Sequence, residues 1–256
     1  MAYRNSRENE RNCTFVRIFL PLIIAIVFLQ TSDCKNHQWH SLSLSHHWPQ
    51  TVCLMASEAC KVPQNIDYWT VHGLWPKGDE LCNKTWHFEI QNVKDILPEL
   101  KLWWPDVLHP NSTQFWKHEW EKHGTCAATL QSLNTQEKYF SKTLDLFHKT
   151  DLNSVLKKFN ILPSSNYYML KVIENALVSV YGVMPKIQCL KPEGRSAQIL
   201  GQIELCFSKD FDLLNCTHDV FSTHTTENDR QYANYLGLSV CDPQEQISYP
   251  PIEHLY

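Results

Sequence analysis

Two imidazoles, two carboxylates and an ammonium fall within six consecutive residues, His118-Glu119-Trp120-Glu121-Lys122-His123. On an α-helix, at about 100° per residue, His118, Lys122, Glu119 and His123 spread over roughly 140° and share one broad face. Such a wall can move protons and hold an anion. A solvated helix face with ordinary i,i+4 neighbours has the same spacing, so the run alone decides nothing. His-Glu also opens the zinc-peptidase pattern, which sets its histidines four apart; these are five apart, and on a regular helix the second turns off the site. The second segment of interest, Asp67 to Pro76, puts His72 at a strand end before Gly73, between Trp69 and Trp75. Strand ends and the loops after them deliver side chains to clefts, although a histidine among aromatics is also an ordinary core residue. No Gly-x-Ser-x-Gly elbow is present, and the cysteines are better spent on disulfides than on catalysis. Proton transfer by histidine remains.

The elements that must position these groups are legible in outline. Ser41 to Trp48 is strand-like and ends at Pro49, and Tyr68 to Val71 is β-prone before Gly73 and Pro76 stop it. The spacing predicts a helix over 113–123, stopped at Gly124 by a left-handed cap. Asn134 with Glu137 resembles a capping box for a helix to about Lys149. Another helix is expected from Asn166 to Tyr181, with Tyr168, Val172, Ala176 and Val180 recurring every four residues and Gly182 ending it. Ile203, Leu205 and Phe207 alternate with Gln202, Glu204 and Cys206 as in a strand, and Asp210-Phe211-Asp212 returns the chain. Residues 217–233 are polar and carry no clear pattern. No repeat or flexible linker divides residues 35–256, so these signals amount to one α+β domain.

The chain has 256 residues, 43% of them hydrophobic and 20% charged, with 7 Gly. That excludes a disordered chain, a collagen or a charged coiled coil. Residues 18–29 form an apolar run preceded by four arginines, too short to span a bilayer and typical of a secretory signal peptide, with cleavage expected near 32–34. Removing residues 1–34 leaves a net charge of −5 and all 13 histidines. Near pH 5 most imidazoles are charged, and full protonation carries the remainder to +8. A polyanion would bind better in an acidic compartment. Eight cysteines survive cleavage, namely Cys53, Cys60, Cys82, Cys126, Cys189, Cys206, Cys216 and Cys241. Eight allow 105 pairings, with Cys53/Cys60 and Cys206/Cys216 the readiest by proximity. Asn83, Asn111 and Asn215 head N-glycosylation sequons, in keeping with the secretory route.

Taken together, Trp69-Thr-Val-His72-Gly-Leu-Trp75-Pro and Phe115-Trp-Lys-His118-Glu119-Trp-Glu-Lys122-His123-Gly-Thr-Cys126 resemble the two active-site segments of the ribonuclease T2 family. The resemblance extends over nearly all of residues 36–253 and includes Ile187-Gln-Cys189, Gly201-Gln-Ile-Glu-Leu-Cys206 and Tyr249-Pro-Pro251. It implies a single domain in which an antiparallel sheet packs with helices. The disulfides it implies are Cys53–Cys60, Cys82–Cys126, Cys189–Cys241 and Cys206–Cys216. The implied reaction is metal-free and cofactor-free transesterification of single-stranded RNA through a 2′,3′-cyclic phosphate, with DNA excluded for want of the 2′-hydroxyl. By motif position His123 becomes the general base and His72 the general acid. Glu119 and Lys122 stabilise the phosphorane, and His118 helps hold the phosphate. Trp75 and Phe115 are the candidates for base stacking, while Trp69, Trp116 and Trp120 fall to the core. The implied location is secreted or lysosomal, by way of the endoplasmic reticulum lumen, with no membrane association once the signal is removed.

Two positions depart from the family pattern near its base sites. Lys77 stands where many members carry an acidic residue after the Trp-Pro, and His46 where they carry Gln two residues before the upstream Trp-Pro. Asp79 is the nearby carboxylate that could substitute. The rival from another class is a secreted binding or signalling protein whose role does not depend on RNA cleavage; an intact His72/Glu119/His123 set argues against it.

Overall fold

Strand β1 (Leu42–His47) ends where expected, because Pro49 has no N–H for the ladder and instead opens helix α1 (Pro49–Met55). The computed structural model describes residues 39–56, 60, 62–194, 196–216 and 237–254. The expected signal peptide and the polar stretch 217–233 lie outside the described residues. The chain continues through strand β2 (Thr70–Pro76), helix α2 (Leu97–Trp103), helix α3 (Gln114–Glu119), which passes through a π-helical turn (Trp120–Gly124) into α4 (Thr125–Ala127), and then α5 (Gln136–Lys149) and α6 (Leu152–Lys158). Strand β3 (Tyr167–Met169), helix α7 (Leu170–Tyr181) and strands β4 (Lys186–Leu190), β5 (Gln198–Phe207), β6 (Leu213–Leu214), β7 (Leu238–Val240) and β8 (Gln246–Ser248) complete it.

All ten residues of β5 are buried, so it is the centre of the sheet, whose main path runs β2-β1-β5-β4-β7. The alternation around Ile203 marked a strand but not its double burial. The sheet is mixed rather than wholly antiparallel, because β8 runs parallel to β5. The cause is local. Gln198 exchanges hydrogen bonds with Asp242, its Nε2 donating to the Asp242 carbonyl at 2.7 Å and its Oε1 accepting from the Asp242 N–H at 2.9 Å. These bonds hold the incoming segment beside the start of β5, and it proceeds in the same direction. Helix α5 packs across β1 and β2, and its Tyr139, Phe140 and Leu144 join Trp104 and Trp120 in the core. Trp69, Trp116 and Trp120 are buried as expected, and each indole N–H is paired: with Tyr249 Oη, the Trp104 carbonyl and the Trp86 carbonyl respectively.

Five local expectations change. Gly73 does not stop β2, which runs on to Pro76. Gly124 is no left-handed cap, since its φ is −59°. Its missing Cβ is a packing requirement instead, as one would lie 2.3 Å from Trp120 Cε3, and the helix passes through it. The cap of α5 is Thr135, whose side chain accepts from the Lys138 N–H, rather than Asn134. Residues 167–169 pair with β8 as strand before α7 begins. The buried face of α7 is Leu170, Ile173, Ala176 and Leu177, while Val172 and Val180 are exposed, because i,i+3 and i,i+4 steps alternate on a buried face and a strict four-residue repeat drifts off it. Gly182 does end α7 in the left-handed conformation, at φ +72°.

All four disulfides implied by the resemblance are formed: Cys53–Cys60, Cys82–Cys126, Cys189–Cys241 and Cys206–Cys216.

Candidate active site

His72 owes its direction to a bulge. Opposite β1, Ser45 pairs with Gly73 and His46 with Val71, which leaves His72 as the extra residue on β2. A bulge re-aims the side chain it carries and places it on the same side as the next residue. His72 therefore shares a face with Gly73 and Trp75, and its ring meets the Trp75 indole edge-on at 4.8 Å.

The second wall comes from α3 and the turn after it. Glu119 closes α3, and Lys122 and His123 sit in the π-helical turn. The wider turn brings residues five apart onto one line, so His118 and His123 face the same way, with ring centroids 6.4 Å apart. This corrects the expectation that i,i+5 spacing turns the second histidine away. Donor atoms of His118, Glu119 and His123 converge within 4.8 Å of one another, the one such group among the described residues. Spacing alone is thus no argument against a metal ion here.

The two walls meet over Gly73. Trp75 Nε1 donates to Glu119 Oε2 at 2.8 Å, and the Trp75 and His123 rings lie 5.3 Å apart. Cys82–Cys126 ties the loop after β2 to the far end of the turn; on that loop Leu81 N–H donates to the Lys122 carbonyl, and Glu80 pairs with the Lys122 ammonium at 3.5 Å. The resulting cleft encloses about 290 Å³. All seven residues assigned to the site from sequence, His72, Trp75, Phe115, His118, Glu119, Lys122 and His123, line it.

Burial dominates the electrostatics. It holds His123 well below the ordinary imidazole value, and Lys122, His118 and His72 add repulsion in the same direction. His72 is also lowered by burial, but a hydrogen bond to Gln202 and the charge of Glu204 work against that fall. The two imidazoles are therefore unequal, with His72 the better supported as a cation. Glu119, 1% exposed, is pushed up to about 8 by desolvation, against the pull of the Trp75 N–H and Lys122. At acid pH it is a neutral carboxylic acid and can donate a hydrogen bond.

Several lining residues were not anticipated. His46 points away from the cleft, fully buried against Phe147, whereas its neighbour His47 lines the cleft, stacked on Phe115 with centroids 6.2 Å apart. Strand alternation carried that signal: adjacent residues face opposite sides. The carboxylates lining the cleft beside Glu119 are Glu80 and Asp106, and Asp79 is not among them. Lys77 lies outside it, with its ammonium 3.1 Å from buried Glu204. The asparagines that head the sequons, Asn83, Asn111 and Asn215, are all exposed.

Comparison with known proteins identifies the family. Residues 39–216 match the model of the ribonuclease T2 family. Ribonuclease T2 of Danio rerio is 50% identical over 242 residues, 92% of this chain and 98% of that protein. Ribonuclease T2 of Homo sapiens is 46% identical over 240 residues, 90% and 93% of the two chains. The crystal structure of human ribonuclease T2 superposes with a TM-score of 0.70 at 47% identity, covering 83% of this chain and 99% of that one. That of a ribonuclease MC1 mutant in complex with 5′-GMP gives 0.65 at 27% identity, over 70% and 95%.

Proposed function

The chain belongs to the ribonuclease T2 family and is a ribonuclease, and we propose that it is an acid endoribonuclease in which His123 and His72 divide the proton transfers of a metal-free transesterification. One observation carries the assignment: half-buried His72 and buried His123 flank Trp75 in one cleft, with Glu119 and Lys122 beside them. His123, the less basic, is neutral in mild acid and takes the proton of the 2′-hydroxyl as that oxygen attacks the adjacent phosphorus. His72, the more basic, gives its proton to the 5′-oxygen as the P–O5′ bond breaks. A 2′,3′-cyclic phosphate and a 5′-hydroxyl result, and each transfer is typically worth about 10²–10⁴ in rate. Neutral Glu119 and cationic Lys122 face the charge that develops on the phosphorane, and His118 contacts the phosphate.

Single-stranded RNA is the substrate this cleft suits, because it can splay bases onto aromatic faces. Phe115, stacked on His47, and Trp75 offer such faces. DNA has no 2′-oxygen to attack. No helix among the described residues is long and apolar enough to cross a membrane. The four disulfides, the exposed asparagines of the sequons and the histidine content support a secreted or lysosomal glycoprotein working in acid.

An oligoribonucleotide with one scissile linkage, incubated at about pH 5 with EDTA, tests the reading by product mass. Cyclic-phosphate ends, and full resistance when the single ribose is replaced by 2′-deoxyribose, are expected. Cleavage of the deoxy substrate, or loss of activity in EDTA, would overturn it, and a folded protein with no cleavage would favour the binding-protein alternative.

A further inference from the structure

Behind His72, away from the cleft, a chain of buried polar groups leads across the sheet. His72 Nδ1 and Gln202 Oε1 are 2.6 Å apart. Gln202 Nε2 donates to Gln188 Oε1 at 2.6 Å and reaches Glu204 Oε1 at 3.4 Å. With its nitrogen committed to two oxygens, Gln202 can present only its carbonyl oxygen to the imidazole. Glu204 is anchored in turn: Oε1 accepts from Lys186 Nζ at 2.9 Å, and Oε2 from Ser43 Oγ at 2.6 Å and Lys77 Nζ at 3.1 Å. Gln202 and Glu204 are both buried. A satisfied network of this kind is costly to leave incomplete and fixes one arrangement.

We propose that Gln202 is a positioning residue for the ribonuclease reaction, keeping Nδ1 of His72 protonated so that Nε2 is the nitrogen that gives its proton from the imidazolium to the leaving oxygen, with the Lys77/Lys186/Ser43–Glu204 cluster fixing the orientation of the Gln202 amide. The arrangement follows the logic of a carboxylate behind a catalytic imidazole, with an amide interposed. It also accounts for the lysine at 77. That residue pairs with a carboxylate beneath the general acid and lies outside the cleft where a base would bind.

The groups facing His72 from the elements around it give the expected pH behaviour its sign. His47 from β1, and Lys122 and His123 from the π-helical turn, disfavour the imidazolium. Glu204 from β5 favours it, as does the Gln202 oxygen accepting from Nδ1–H. Neutral Glu119 in acid adds no charge. Although burial alone would raise Glu204, Lys77, Lys186 and Ser43 bring its carboxyl down to about 2, so it is an anion throughout the working range.

The proposal rests on the assignment of His72 as general acid, and its test has one arm that needs no RNA. In the intact wild-type protein, the side-chain ¹⁵N resonances of His72, recorded above its titration, should show protonated Nδ1 and unprotonated Nε2; the reverse pattern would overturn the proposal. The second arm is the pH profile of kcat/KM for Gln202→Leu and Gln202→Glu. Leucine removes the acceptor and should move the alkaline limb down by about one unit, with at least a tenfold loss on that limb. Glutamate keeps the shape and adds charge, and should move the limb up. A merely structural role would move neither limb, or both variants in the same direction, and either result would sink the idea. If Gln202→Leu does not fold, the near-isosteric Gln202→Glu still decides by the direction of its shift. A wild-type protein that cleaves no RNA defeats the ribonuclease assignment and leaves the tautomer result to stand or fall separately.

Discussion

The indole N–H of Trp75 donates to Glu119 Oε2 at 2.8 Å directly above Gly73, where a Cβ would lie 2.1 Å from that oxygen and 2.2 Å from the indole nitrogen. The glycine between the two residues is thus a matter of room: it lets the helix wall approach the strand wall. Gly73→Ala should cost about 1–3 kcal/mol of stability by overpacking. It should also cut kcat/KM by more than the stability loss explains, because Glu119 must move. Trp75→Phe keeps an aromatic face and removes the donor, and should lower kcat by about tenfold, the worth of one placed hydrogen bond. Chemical denaturation and steady-state kinetics on both variants check this; a Gly73→Ala protein with wild-type kinetics would contradict it.

Glu119 should make the fold prefer acid. Its carboxyl titrates at about 8 when folded, against an ordinary 4.5. Between those values the folded protein holds a proton that the unfolded chain releases. The stabilisation is therefore complete below about pH 4.5 and is lost as pH rises through 8. Buried His46 works in the opposite direction: lowered by desolvation from 6.5 to about 4, it is most stabilising above 6.5 and loses that contribution as pH falls. Glu119→Gln, which stays neutral, should raise Tm relative to wild type by several degrees near pH 8 and change it little near pH 4.5. Thermal melts across that range would show a constant difference if the carboxyl were not displaced.

Cys82–Cys126 closes a loop of 44 residues across the site. Loop entropy assigns such a cross-link about 4 kcal/mol. Replacing both cysteines by alanine should cost roughly that in unfolding free energy and, below the new Tm, raise KM as the loop carrying Glu80 loosens from Lys122. An unchanged KM in the folded double mutant would show that the loop needs no tether.

How much of this could be read in the sequence depended on the range of the interaction. The seven cleft residues were legible because they fall in two contiguous segments that resemble the active-site segments of the family, and the strand around Ile203 because its alternation is local. The π-helical turn was not: it is accompanied by the fit of Gly124 against the Trp120 ring, and without it the five-residue spacing argues against convergence of His118 and His123. His46 and His47 differ only in strand parity, which the motif left unassigned. Gln202 lies 130 positions from His72, and nothing local marks it as a partner. Lys77 looked like a change in base recognition, and its ion pair with Glu204 appears only once β5 is placed beside β1.

The most direct test of the divided proton transfers changes the leaving group. A bridging 5′-thio substrate departs as a thiolate that needs no proton, so it removes the task assigned to His72 and leaves that of His123. On the ordinary 5′-oxygen substrate, His72→Ala and His123→Ala should each lose at least about a hundredfold in kcat/KM. On the 5′-thio substrate, His72→Ala should recover most of its activity while His123→Ala keeps its full deficit. Equal deficits on both substrates, or rescue of His123→Ala instead, would contradict the assignment.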